Sequence, residues 1–584
     1  MFFSMGHGKR VVAASASGAG IEGAAPETAT GGTGSRADPA VQSFGYLFSG
    51  APEVSEHGDI SERLEILAAA MAEPVPETDA LTGMLPPVFT YLGQFIDHDL
   101  TANTDRDGDA SSIGREPLLR QPRGLVEANV MNGRKGSLGL DSLYGDVPDE
   151  TETSRALQAA MRDGPFLRIG ASTPFGRRPP LPADGFDDLP RIGPMISEGH
   201  LDPSLLPASH RPAGPDDPKA RLAFIGDGRN DENLIVAQLH LAFLRFHRRV
   251  AETLIRSGRA PADPDTLFGM VRRQVTWTYQ WIVLNEYLPS VCRPQAVTAA
   301  MRDEAPLYGA FLERIRQVGI GDVLPLPFEF SAACFRFGHT MVRNRYDINF
   351  NFGRPSLDMD GPTRATLRDL FAFTGRASPD GISPPFGGAG TQSLPHNWIV
   401  EWNRLVDPRP LFPDRTARAV DDRLAAGLFD LPKEDAGIMR NLALRNLRRG
   451  YNMNLPSGQS ALQALRRSGV PLGPTLTRSR LRAGQSGRAL RAAGLEDEAP
   501  LWFYILKEAA ELERGTRLGS VGSAVVADTI TGLVVNDPDS YWHQPGSGSD
   551  GRWHPVDGVQ PTGRPVTRIA RLLEAAGVLD PAAA

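Results

Sequence analysis

"ENLIVAQLHLAFLRFHRRVAETLIRSG" (232–258) and "TLFGMVRRQVTWTYQWIVLNEYL" (266–288) each repeat apolar residues at three- and four-residue steps. That spacing lines one face of an α-helix and no face of a β-strand. A chain that must bury two such stripes has a helical interior. The same spacing predicts helices over 60–72, 88–100, 307–317, 331–342, 364–373, 418–427, 437–449, 458–467, 500–514, 520–534 and 566–576. Strand-like alternation is scarce. Pro-, Gly- and Asp-rich connections at 101–124, 171–220, 353–392 and 536–565 are longer than turns require. The expectation is a mainly α fold with long irregular loops and little β-structure. A flexible Gly/Ala/Thr-rich tail over 1–40 precedes one large domain over 41–584.

At 41% hydrophobic and 22% charged, the 584 residues have the make-up of a soluble globular chain. A formal charge of -7, from 62 basic and 69 acidic side chains, argues against a dedicated nucleic-acid or anionic-membrane binder. Arg466, Arg467, Arg478, Arg480, Arg482, Arg488 and Arg491 share one stretch without an acid, read as a solvated basic loop. No run approaches the roughly 18 apolar residues that span a bilayer. The best, "VGSAVVADTITGLVV" (521–535), is interrupted by Asp528. The first residues lack the Leu- or Val-rich segment of a secretory signal, and localisation stays open. Cys292 and Cys334, the only cysteines, exclude a disulfide framework and a CxxCH haem attachment. HExxH, GxxxxGK[ST], GxSxG and a GxGxxG after a strand are all absent.

Four polar clusters interrupt the apolar pattern. In "YLGQFIDHDLT" (91–101), a helix puts Gln94 and His98 on one face with Asp97 at its flank, while Asp99 points elsewhere. A lone buried histidine is ordinarily a satisfied core group. "GDGRNDEN" (226–233) opens the first long helix, where the acids Asp231 and Glu232 offset the helix dipole. Arg229 does not, since a cation at a helix N-terminus needs an anionic partner. "CFRFGHTMV" (334–342) sets His339 among aromatic and aliphatic residues, the surroundings of a core histidine or of an axial haem ligand. "RNLRRGYNMNLPSGQ" (445–459) brings Asn446 at the head of a polar run.

With "LDSLYG", "LRFHRRVAE", "YQWIVLNEYLP", "LPSGQ" and "PLWFYILKEA", these clusters fall in one order over about 90–515. In that order the chain resembles the animal-type haem peroxidases of the peroxidase-cyclooxygenase superfamily, in a bacterial-like form. The resemblance implies a large haem peroxidase domain that reduces hydrogen peroxide through a ferryl intermediate and oxidises a small donor, a halide or an aromatic molecule. It implies His98 as the base that moves the peroxide proton, Arg229 as its electrostatic partner and Gln94 as a pocket hydrogen-bonding group. His339 matches the ligand to the iron of haem b, and Asn446 the acceptor for its other ring nitrogen. Arg449 matches the partner of a haem propionate. Asp97 and Glu232 coincide with carboxylates that form ester links to haem in mammalian members. Asn233 stands where one such member has a methionine, so a third link is excluded.

Family members also hold calcium. Here Asp99, Asp141 and Ser137 are the candidate ligands, with Gly139 where an aspartate is expected. The resemblance further implies a role in the response to oxidative stress. One rival is a haem fatty-acid dioxygenase, whose radical tyrosine lies three residues before the proximal histidine. That position is Arg336, as in peroxidases. A second rival is a scaffold that has kept the fold and lost the chemistry. The loops at 171–220 and 353–392 are expected to wall the substrate channel.

Overall fold

A computed structural model of the chain describes residues 43–580, apart from 74–82, 106–112, 149, 178, 180–185, 318–322, 353–363, 376–386, 389–390, 407–414 and 432–436. It also gives the backbone of two short antiparallel strands, Phe2–Ser4 and Val11–Ala13. The remainder of the expected tail, and most of the 353–392 loop, lie outside the described residues.

The fold is mainly helical. The helices that frame the interior are α1 (Ile60–Ala70), α2 (Val88–Leu100), α3 (Leu234–Arg256), α4 (Pro264–Ile282), α5 (Pro294–Arg302), α6 (Pro306–Arg316), α7 (Leu442–Asn452), α8 (Gly458–Ser468), α9 (Leu501–Glu513) and α10 (Ser520–Val535). Strands among the described residues come only in pairs of two or three residues, such as Asn103–Asp105 with Val130–Asn132. They pin loops and build no sheet layer.

Starts and stops follow local chemistry. Asn233 caps α3 by accepting from Val236 N, Asp263 caps α4 with Pro264 behind it, and Ser457 caps α8. α3 packs along α4 and against α2, burying the apolar stripe that its sequence displays. α10 is apolar on every side and is buried almost throughout, as a helix surrounded by α5, α6 and α9 must be. Its Gly532 lies against the Tyr308 ring, which leaves no room for a side chain. Asp528, the break in the would-be membrane segment, accepts from Tyr308 N at 2.7 Å and ties α10 to α6. No helix of the described residues is long and apolar enough to cross a membrane.

Two expected helices are absent. Over 364–373, Thr366 and Asp369 bond each other's backbone and side chains at 2.7–3.2 Å, which diverts the chain into a two-residue strand and a 3-10 turn. Over 418–427 the polar side chains serve distant partners: Arg418 meets Glu73 at 2.8 Å, and Asp422 meets Lys507 at 3.1 Å. The expected helix at 331–342 is split into Phe328–Ala332 and a 3-10 segment, Cys334–Met341. The acid-free arginine stretch is largely solvated as expected, with Arg478 and Arg482 also pairing with Glu496. Cys292 and Cys334 are free thiols, both buried.

Candidate active site

α2 carries Phe95, Ile96 and Leu100 into the core, which turns Gln94 and Asp97 toward a cavity of about 900 Å³. The 3-10 segment supplies the facing wall with Phe335, Arg336, Gly338 and His339. Glu232 and Asn233, at the head of α3, close one side. Leu442 and Arg445 of α7 close another. α4 runs on into a π-helical turn, Val283–Tyr287, that delivers Tyr287 to the same cavity, and Tyr91 of α2 also reaches it. Leu367 and Phe371, from the loop expected to wall a channel, line it too. Thus Gln94, Asp97, Glu232 and His339, far apart in sequence, share one space.

Within that space Gln94 is held at both ends. Its carbonyl accepts from Asn233 Nδ2 at 3.0 Å and its amide donates to Glu232. His339 Nδ1 lies 2.9 Å from Asn446 Nδ2. The amide nitrogen, rather than the oxygen that the resemblance implies, thus faces the ring. The two amide orientations fill the same space, and only the hydrogen-bond network chooses between them.

His98 is fully buried and does not line the cavity wall. Its Nδ1 lies 2.8 Å from Asn230 Oδ1, and Asn230 Nδ2 lies 3.1 Å from His240 Nδ1. With the Asn230 oxygen facing His98, the proton of a neutral His98 sits on Nδ1 and Nε2 is its basic nitrogen. His240 is held neutral: burial pushes its pKa down to about 3. Asn230 and His240 escaped the sequence reading. Asn230 stood beside Arg229 in a quoted motif, whereas His240 sat unremarked on an apolar helix.

Arg229 is buried behind the cavity. Its guanidinium donates to Asp227 at 2.7 Å and to the carbonyl of His98 at 3.0 Å, and it also meets the carbonyl of Thr101. The cation that fitted poorly at a helix start therefore has two partners, a carboxylate and the C-terminal carbonyls of α2. Asp227 is shared with Arg134, and these cations hold its carboxyl far below the usual range despite burial.

A second set of cations has weaker compensation, from the Asp97 carboxylate. Burial, and then the neighbouring Arg336 and Arg445, push the pKa of Arg449 down to about 9. Among the described residues the Arg449 guanidinium makes no hydrogen bond or ion pair. Arg336 is also lowered, by burial first and by Arg229 among its neighbours, and it gives its Nε–H to Ser331 O at 2.9 Å. Arg448, next to Arg449 in sequence, points away to Glu116 at 2.6 Å.

Residues 191–393 match the family model for animal haem peroxidase. That stretch is similar to the animal haem peroxidases. It is 27% identical to a peroxidase-like protein of Margaritifera margaritifera over 63% of its own length and 44% of that protein's. With rat (Rattus norvegicus) thyroid peroxidase it shares 23% identity over 85% of its length and 52% of the relative's, so it spans about half the length of these curated relatives. In structure it is similar to Peroxidase A from Dictyostelium discoideum, with a TM-score of 0.56 and 16% identity over 92% of this chain and 94% of the other. A fatty acid alpha-dioxygenase from Oryza sativa reaches 0.51 with 11% identity, covering 90% of this chain and 79% of that one. The shared fold therefore includes both peroxidases and a dioxygenase.

The similarity to animal haem peroxidases implies haem, and the residues present fit one. The cavity has aromatic and aliphatic walls for a flat macrocycle, an imidazole in the wall, and buried arginines whose charge calls for an anion such as a propionate. The calcium residues fit less fully. Asp99 and Asp141 are adjacent and buried, and burial together with nearby carboxylates raises both, to about 8 and about 6. Ser137 Oγ and Asp141 Oδ1 flank the face of Gly139 that a Cβ would occupy, at 3.0 and 3.2 Å. However, both oxygens of Asp99 already accept from the amides of Leu140 and Ser142 at 3.1 Å. Among the described residues no three His, Cys, Asp or Glu side chains gather around a common point.

Proposed function

We propose that the chain is a haem-dependent peroxidase that reduces hydrogen peroxide and oxidises a small donor, a halide or an aromatic molecule. One observation carries this reading: a single cavity joins His339, backed by Asn446, to the Gln94–Glu232 pair, Asp97 and Arg336, with Arg449 buried beside it. When bound, haem supplies the redox-active iron. His339 Nε2 would hold that iron, which requires the proton on Nδ1 and hence Asn446 Oδ1 as its acceptor. Arg449 would take a propionate. His98, with its proton fixed on Nδ1 by Asn230, accepts the first peroxide proton at Nε2 and returns it to the departing oxygen. Arg229 would polarise the end of α2 beside His98, and Gln94, held by Glu232 and Asn233, would offer its remaining amide hydrogen to peroxide entering the cavity.

Asp97 and Glu232 both line the cavity, and the reading extends to ester links between them and haem. If acetone-acid extraction releases all the haem as free protohaem, the links are refuted. The reading also places a calcium ion at Asp99 and Asp141 with the Ser137 hydroxyl, and a thermal melt that EGTA leaves unmoved would remove it. The main test is stopped-flow absorption after mixing the haem-loaded protein with hydrogen peroxide. Rapid spectral conversion, reversed by donors and lost in His98→Ala, is expected. No conversion in the wild type overturns the proposal.

A dioxygenase is the second reading, favoured by one observation: Tyr287 and Tyr91 both line the cavity although Arg336 occupies the position of the radical tyrosine. Hydroperoxide products from linoleate and oxygen would establish it. A scaffold without chemistry would show no Soret band after reconstitution with haem.

A further inference from the structure

Behind α7 lies a second cavity of about 520 Å³, lined by residues of the 54–57 loop, α1, α7, the 495–500 segment and α9. Its walls are mostly apolar: Ile60, Leu64, Leu447, Leu455, Leu495 and Leu501. Gly450 opens it. This glycine sits inside α7 with ordinary helical backbone, where glycine costs about 1 kcal/mol relative to alanine. A Cβ there would meet nothing nearer than Leu455 Cδ1 at 3.8 Å. No close packing explains the missing side chain, and the space it would enter is the cavity.

The lining carries one carboxylate, with the imidazole of His57 also in it. Glu498 accepts from Ser55 N at 2.8 Å through one oxygen and has no ion-pair partner among the described residues. Two wall residues also reach through to the haem-side cavity. Asn446 bonds His339 at 2.9 Å, and Trp502 donates its indole N–H to the carbonyl of Arg336 at 3.2 Å. Both His339 and Arg336 line that other cavity.

We propose that this second cavity is a binding site for a small amine: an apolar body among the leucines and an ammonium at Glu498, coupled to the haem side through Asn446 and Trp502. Apolar walls with a few polar groups, here the Glu498 carboxylate with Ser55, His57 and Tyr451, are what a small-molecule site offers, and the carboxylate selects a cation over an anion. The coupling half rests on the haem-peroxidase reading, whereas the binding half does not.

The probe is 2-phenylethylamine, titrated calorimetrically into the haem-loaded protein, with 3-phenylpropanoate as the charge-reversed control. Saturable amine binding and no carboxylate binding are expected. Gly450→Leu should abolish amine binding while keeping or raising the melting temperature, because the leucine fills open space on a helix. Glu498→Gln should weaken the amine about tenfold, the loss of one charge-assisted bond. Absence of binding to the wild type, or binding that survives in a folded Gly450→Leu protein, overturns the site. The Soret band should shift on amine addition in the wild type. Binding without any Soret shift overturns the coupling alone, and a protein that never takes up haem overturns the peroxidase reading while calorimetry still decides the site.

Discussion

Asn230 shows how much of a reactive group's behaviour rests on a neighbour of ordinary type. With Oδ1 at 2.8 Å from His98 Nδ1 and Nδ2 at 3.1 Å from His240, it sets which nitrogen of His98 is basic. Asn230→Leu removes that acceptor and leaves two buried imidazoles without their link. We expect the rate constant for reaction with peroxide to fall about 100-fold, on the scale of a lost general base, with the ferric Soret band preserved. Single-turnover stopped flow checks this, and an unchanged rate would separate Asn230 from the chemistry. The polar clusters themselves were legible because each set a titratable group in apolar surroundings. Their orientation was not. Nothing in "GDGRNDEN" says that Arg229 folds back on Asp227 and α2 while Asn230 turns to the histidine, since that depends on where α2 ends, in a segment more than a hundred residues earlier.

Helices were legible where the apolar stripe is continuous, whether a side chain caps the start, as at α3 and α8, or not, as at α2, α9 and α10. α2, α3, α8, α9 and α10 begin and end within two residues of the spacing's prediction. The failures at 364–373 and 418–427 both come from polar side chains that bond in place of a helical ladder, Thr366 and Asp369 with each other and Arg418 and Asp422 with distant residues, which periodicity does not register. α9 and α10 meet through such a partner. Glu508 of α9 accepts from Val521 N at 2.8 Å at the head of α10, and burial raises its pKa from 4.5 to about 8. The folded chain therefore holds a proton that the unfolded chain releases above about pH 4.5. The stabilising contribution is complete below that pH and is lost as pH rises toward 8. Glu508→Gln keeps a neutral acceptor, so its stability should change less between pH 5 and 8 than the wild type's, as followed by denaturant melts. Gly519 is the steric counterpart: a Cβ there would lie 2.2 Å from Glu508 Cγ. Gly519→Ala should destabilise the protein by about 1–3 kcal/mol, the scale of overpacking, in the same melts.

At the scale of the whole molecule, the cavity is a place where the fold accepts a cost in one state to gain in another. Arg449 and Arg445 are buried beside the half-buried Arg336, and a guanidinium whose pKa has dropped to about 9 is still charged at neutral pH. Its charge is thus retained against both desolvation and repulsion. An apolar side chain of similar length would suit the unliganded fold better, and an anion entering the cavity would reverse the comparison. Arg449→Met should therefore stabilise the haem-free protein by about 1 kcal/mol or more, following the general behaviour of buried ionic groups replaced by hydrophobic ones. It should also weaken haem binding by about tenfold, the value of one charge-assisted contact. Because a ligand that binds only the folded state stabilises by mass action, the two effects oppose each other in the loaded protein. The gain in melting temperature on adding haem should be smaller for Arg449→Met than for the wild type, although the variant starts higher. Melts of both proteins with and without haem measure the four values. A haem-free variant that melts lower than the wild type would mean that Arg449 is held by packing of its aliphatic stem rather than endured for its charge.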